Sequence, residues 1–336
     1  MKLVMVVGVA MALGVAVPMV AQTKATQAKV QPAPQAPVAQ APAPEVKFPE
    51  VNSKNFTAAS PTVDEVNGFL KAIWGFDVSR KWQVAAILKT PAAGIAKVVV
   101  LVGDERQPGK VSSTVFFTTP DGKHAISDTM INFGPKPFEE ARKTLQAEAT
   151  GAARGAKSND LMLVEFADLQ CESCKDAQDK VDNLAQDFPQ ARIVFENFPV
   201  TMHHPYALRA AEDGVCVRKE KGDAAFFSYV QAVYAKQAGL TAQSVDEALK
   251  AAETAAGADP AAVAACAAAP ETKAAVEASL KLGEDVGVSQ APTLAVNGHL
   301  LSVASLPYET LKQIVAFQAQ QDGITVHLQP TLTTLK

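Results

Sequence analysis

The sequence predicts an α/β protein in two parts. A small α+β domain comes first; an α/β domain follows, whose strand–helix–strand opening is separated from its closing hairpin and helix by a helical insertion. Three observations predict this. Buried-strand patterns at Leu161–Phe166, Ile193–Phe195 and Thr293–Val296 are interleaved with helical periodicity. The stretch Tyr206–Leu282 is alanine-rich and reads as helix almost throughout, and Phe48–Phe133 carries helix and strand patterns of its own. At 336 residues the chain exceeds one average domain, and 48% hydrophobic with 20% charged residues is a composition that builds packed cores. A net charge of −4 gives no electrostatic footprint for nucleic acid. Beyond the N-terminal start, no apolar run of about 18 residues predicts a membrane span.

Residues 1–21 read as an export signal. Lys2 supplies the positive charge, Leu3–Val17 is almost wholly apolar, and Pro18 breaks the run before a cleavage expected after Ala21. The alternative is an uncleaved N-terminal anchor. Either way the chain is expected in the periplasm, where disulfides persist. Residues 22–46 are rich in Ala, Gln and Pro and have no apolar period, the composition of an extended disordered linker.

The small α+β domain is expected over residues 47–133. Thr62 and Glu65 make a capping-box pattern, and Val66, Phe69, Leu70 and Ile73 follow at helical spacing. Strand patterns come next at Gln83–Leu88, Ala96–Val102 and Val111–Thr119, and Asp121-Gly122 marks a hairpin. Trp74 and Trp82 read as core residues. A linker helix is expected within 134–157, over Pro137–Ala149, with the small polar stretch Gly151–Asn159 as the boundary.

The α/β domain is expected over 158–325, its helical insertion over about 203–282, and a tail over 326–336. Leu161–Phe166 leads into Cys171-Glu172-Ser173-Cys174, after which Ala177, Val181, Leu184, Ala185 and Phe188 recur at helical spacing. Gly222, Gly239, Gly257-Ala258-Asp259-Pro260 and Pro270 divide the insertion into separate helices. Ala291-Pro292 precedes the strand Thr293–Val296, Asn297-Gly298 turns it into His299-Leu300-Leu301, and a helix closes over Pro307–Gln320.

A Cys-x-x-Cys placed between a strand and a helix has a physical reading. The first sulfur sits at the helix N-terminus, where unpaired N–H groups and the dipole stabilise a thiolate. The second lies one turn on and can resolve a mixed disulfide. Cys171 is therefore expected to be the nucleophile and Cys174 the resolving thiol, in a thiol–disulfide oxidoreductase. The rival reading is a dithiol that binds a soft metal such as copper or zinc, as a metallochaperone would; the neighbours His203 and His204 cannot easily both chelate with it. His203-His204 read instead as a cap or a local hydrogen-bonding group. No cofactor is expected.

Val164-Glu165-Phe166 through Cys174, Asn197-Phe198-Pro199, the helical insertion and Ala291-Pro292-Thr293-Leu294-Ala295-Val296-Asn297-Gly298 together resemble the DsbA-like thiol–disulfide oxidoreductases. The resemblance implies a thioredoxin-like fold and a cis proline at Pro292 beside the sulfurs. Ala291 and Pro292 would then bind extended substrate. It further implies that Glu165 is the buried proton acceptor for the second thiol, and it supports a structural disulfide between Cys216 and Cys266, the alternative being two separate buried thiols. Cysteine-containing exported proteins are the implied substrates, with a membrane redox partner of DsbB, DsbD or VKOR type. The region 48–133 is similar, more loosely, to the dimerisation domain of the DsbC and DsbG isomerases, which implies a homodimer. Glu172 and Ser173 depart from the residues usual between the cysteines. The charge of Glu172 is expected to oppose the thiolate, which favours isomerase or reductase work over strong oxidation.

Overall fold

The computed structural model describes residues 46–127 and 130–326. The export signal, most of the proline-rich linker and nearly all of the tail lie outside the described residues. Among the described residues the strands form two sheets of five.

The first sheet is an antiparallel meander of β1 (Arg80–Lys89), β2 (Ala96–Asp104), β3 (Val111–Thr118), β4 (His124–Ile126) and β5 (Met130–Asn132), in that order. Helix α1 (Val63–Trp74) crosses one face. Its capping box is present as the sequence predicts: Glu65 N–H donates to the Thr62 side chain, and Thr62 N–H to the Glu65 carboxylate at 2.7 Å. Val66, Phe69 and Leu70 bury against Val84, Ile87, Val98, Val100 and Phe116; Val98 and Val100 alternate on β2, while a bulge in β1 between Val84 and Ala86 brings Ile87 to the same face. Strand β5 has three residues, too few for alternation to reveal.

The second sheet has the order β10-β9-β7-β8-β6. Strand β7 (Met162–Ala167) pairs parallel with β8 (Arg192–Asn197) and antiparallel with β9 (Thr293–Val296), which turns into β10 (His299–Ser302). Both faces of β7 are covered, so all six of its residues are buried. On one face, α3 (Glu172–Asp187) and α9 (Tyr308–Gln321) pack Val181, Leu184, Leu311 and Val315 on Leu163, Ile193 and Leu294. This is the thioredoxin-like order expected of the sequence. Between β8 and β9 comes the helical insertion, made of α4 (Ala207–Lys221), α5 (Asp223–Ala235), α6 (Val245–Ala255), α7 (Pro260–Ala267) and α8 (Pro270–Asp285). Its breaks are those expected: Gly222 caps α4 at positive φ, Asp259 caps α7, and Pro260 and Pro270 stand in the first turns of α7 and α8.

One expectation needs correction. The stretch 151–159 is not a bare boundary, because Ala152–Gly155 forms β6, the edge strand antiparallel to β8. Four small or polar residues carry no strand signature; what holds them is tertiary, including a hydrogen bond from Ala153 N–H to Asp223. The domain therefore starts before residue 158. The expected linker helix is present as α2 (Glu139–Glu148), and it packs against the second sheet. Leu145 is buried against β7 and β8, Phe138 stacks on His299 at 4.0 Å, and Arg142 pairs with Asp322 at 3.0 Å. The turn Asn297-Gly298 permits this approach, since both residues have positive φ and a Cβ on Gly298 would lie 2.4 Å from Phe138 O. Burial in that stack lowers the His299 pKa to about 4, so the ring stays neutral.

Candidate active site

Strand β7 delivers Glu165 and then, through a tight turn, Cys171 as the N-cap of α3. Cys171 Sγ lies 3.0 Å from Ser173 Oγ and 3.9 Å from the carbonyl oxygen of Ala291. The Ala291–Pro292 peptide is cis, and Pro292 is buried. The structure thus gathers Cys171, Ser173, Cys174 and the Ala291-Pro292 element at one end of the second sheet.

The two sulfurs have opposite environments. Cys171 is held down to about pKa 6, chiefly by the hydrogen bond from the Cys174 thiol, aided by Ser173 and the Cys174 backbone N–H, against burial and the charge of Asp168. At neutral pH it is mostly thiolate. Cys174 is completely buried, and burial drives its pKa far above the ordinary thiol value; its sulfur accepts the Asp168 N–H at 3.4 Å. The thiolate is favoured at Cys171, which keeps 7% exposure, and the proton is kept at the fully buried Cys174.

Glu165 is 1% exposed and burial pushes its pKa up to about 7, in spite of a 2.6 Å hydrogen bond from Gln178 Nε2. Its charge acts on Cys174, and Gln178, on the second turn of α3, also reaches the Cys174 carbonyl at 3.4 Å. Glu172 is exposed in the first turn of α3, where a negative charge favours the helix dipole. The charge that bears on the thiolate is that of the buried Asp168.

Several residues at this turn escape a sequence reading. Asp168 accepts from Gln170 N at 2.7 Å in a local Asx turn, from Val200 N at 2.7 Å, and from His204 Nδ1 at 2.8 Å. Its carbonyl accepts from Cys171 N and from the Tyr234 hydroxyl. Gln237 donates to Leu169 O, and Gln170 bridges Leu240 O and Tyr206 N. Apart from the Asx turn and the bond from Cys171 N, these contacts span tens of residues, so no local pattern announces them. Cys216 and Cys266 form a disulfide between α4 and α7. Among the described residues no three His, Cys, Asp or Glu side chains are arranged to hold a metal ion. No helix among them is long and apolar enough to cross a membrane.

The model of the Thioredoxin_4 family, described as thioredoxin, matches residues 147–316. Similar solved structures include a periplasmic thioredoxin-like protein from Salmonella enterica serovar Typhimurium, 22% identical with TM-score 0.45, covering 55% of this chain and 97% of that one. BdbD from Bacillus subtilis is 21% identical with TM-score 0.45, covering 51% and 93%. The thiol–disulfide exchange protein alpha-DsbA2 from Wolbachia pipientis is 18% identical with TM-score 0.44, covering 52% and 94%. Among curated proteins, the Na(+)/H(+) antiporter NhaA 3 of Salinispora tropica is 39% identical over 59 residues, which is 18% of this chain and only 9% of the antiporter.

Proposed function

This chain belongs to the Thioredoxin_4 family, and from that premise we propose that it is an exported, periplasmic enzyme that exchanges disulfides with cysteine-containing proteins through Cys171 and Cys174. The observation that carries the reading is the split between the two sulfurs: a lowered Cys171 at the helix cap and a buried Cys174 that retains its proton. Cys171 thiolate attacks a substrate disulfide and forms a mixed disulfide, while the released substrate sulfur takes a proton. Cys174 then gives up its proton, for which Glu165, with a pKa of about 7, is the acceptor, and displaces the substrate. Oxidation of substrate runs the same steps in reverse. The Ala291 carbonyl beside Cys171 supports this element as the strip that pairs with extended substrate.

The charge of Asp168 moderates the thiolate without overturning the hydrogen bonds that favour it, which supports isomerase or reductase work over strong oxidation. A membrane redox partner would then reset the dithiol. Self-association through the first sheet is supported by Val115 and Phe117, each 38% exposed on β3, whose side chains alternate with the buried Phe116 and Thr118. Because α2 is docked, it would not act as a free spacer between protomers.

Substrate trapping tests the reading. Cys174→Ser should accumulate mixed disulfides with disulfide-bonded or scrambled protein substrates, and Cys171→Ser should accumulate none and lose insulin reduction. Trapping by Cys171→Ser with none by Cys174→Ser would reverse the assignment, and trapping by neither would overturn the function.

A further inference from the structure

The exchange leaves one proton to account for. When a substrate dithiol is oxidised, its two S–H bonds break, its S–S bond forms and the Cys171–Cys174 bond breaks. Two electrons pass to the cysteine pair and one proton stays on Cys174; the second proton is set free, because Cys171 remains thiolate. Asp168 and His204 are placed to respond to it. Asp168 is 1% exposed, and its carboxylate can only accept, so the contacting Nδ1 of His204 carries the hydrogen. The His204 side chain is 25% exposed, so it exchanges protons with solvent. The same Asp168 is joined to both cysteines. Its N–H donates to Cys174 Sγ, its carbonyl accepts from Cys171 N, and its charge opposes the Cys171 thiolate.

We propose, resting on the thiol–disulfide reading above, that Asp168 and His204 form a positioning pair that takes up the second proton when Cys171 becomes thiolate and releases it when the disulfide re-forms. An imidazolium on Asp168 cancels the charge that opposes the thiolate, and by reciprocity the thiolate favours the imidazolium. The charged and titratable groups around Asp168 are His204 from the loop after β8, Cys171 and Cys174 from α3, and Tyr234 from α5. Tyr234 stays neutral because burial drives its pKa well above the ordinary value. His204 acts through Asp168, and so tunes the dithiol without touching substrate.

The test follows the His204 ring by NMR in protein reduced or oxidised at the Cys171–Cys174 pair, with His204→Gln assigning the signal. The ring is expected to take up its proton at a higher pH in the reduced protein. His204→Gln, which keeps a neutral donor to Asp168, should lower the Cys171 thiolate-to-thiol ratio at a given pH by about tenfold. An identical ring titration in both redox states overturns the proposal, as does a Cys171 titration unchanged in His204→Gln, for then the histidine is only a hydrogen-bond donor. If the glutamine variant fails to fold, the wild-type comparison decides alone. Failure of wild-type protein to equilibrate Cys171–Cys174 with glutathione would instead sink the function on which the proposal rests.

Discussion

Replacing Glu165 with glutamine removes a charge but preserves shape and the acceptor that Gln178 requires. Burial raises this carboxyl from 4.5 to about 7, so the folded protein binds its proton more tightly than the unfolded chain does. The stabilisation this gives is fully present below pH 4.5 and is lost as pH rises through 7. A shift of this size corresponds to about 3 kcal/mol between pH 4 and pH 8. Wild-type protein should therefore lose stability across that range relative to Glu165→Gln, the gap opening by roughly 3 kcal/mol. Urea unfolding at a series of pH values, with the Cys171–Cys174 pair oxidised so that neither sulfur titrates, measures the gap directly. Taking the difference between the two proteins cancels every other titrating group. Parallel stability curves would refute the argument, because they would mean that Glu165 is as well solvated in the fold as in the unfolded chain. The same substitution should slow resolution of mixed disulfides by Cys174 while leaving the first attack by Cys171 intact.

Other outcomes follow from the insertion. Replacing both Cys216 and Cys266 with serine opens a loop with a sequence separation of 50, and chain entropy sets the loss at roughly 4 kcal/mol; a loss below about 1 kcal/mol in urea unfolding would show that packing alone closes α4 on α7. Asp213, on α4, is pushed up to about 7 by burial and then by the charge of Glu253, with Arg209 opposing. Asp213→Asn should accordingly stabilise the protein more at pH 8 than at pH 5, and an equal effect at both would remove the buried charge from the account.

What could be read from the sequence was what chemistry makes local. Cys171 and Cys174 declare themselves by spacing, Thr62 with Glu65 by the capping box, Asn297-Gly298 by its turn, and Asp259-Pro260 by a helix start. Each of these depends on neighbours within a few residues. The parts that stayed hidden depend on partners far along the chain. Strand β6 is held by a register with β8 that begins at Ala152↔Phe195, and its own residues are compatible with a loop. The docking of α2 depends on a ring stack between Phe138 and His299. His204 lies 36 residues from Asp168, so its sequence context suggested a cap or a local hydrogen bond and not a partner on the redox turn. Glu172 shows the converse error. Adjacency in sequence to Cys171 suggested an electrostatic effect, but in the first turn of α3 its side chain faces solvent.

Two buried carboxylates stand beside the dithiol, and their different surroundings suit them to different roles. Glu165 has one neutral donor, the Gln178 amide, so burial dominates and the group exchanges a proton near neutrality. Asp168 has three N–H donors, one from its own turn and two from the loop after β8, a set suited to holding the two loops together. The first therefore suits proton transfer with Cys174, and the second fixes the turn that presents Cys171. That turn is also held from outside the thioredoxin-like core, by Tyr234, Gln237 and the Gln170 contacts with Tyr206 and Leu240. The helical insertion is thus a structural part of the redox turn, and loosening it should disturb Cys171 even where no inserted residue touches a sulfur. A Tyr234→Phe variant, which deletes only the hydroxyl that grips Asp168 O, isolates that coupling. It should shift the Cys171 alkylation midpoint with little loss of global stability, since one hydrogen bond contributes about 1 kcal/mol. An unshifted midpoint would show that the turn holds its shape without the insertion.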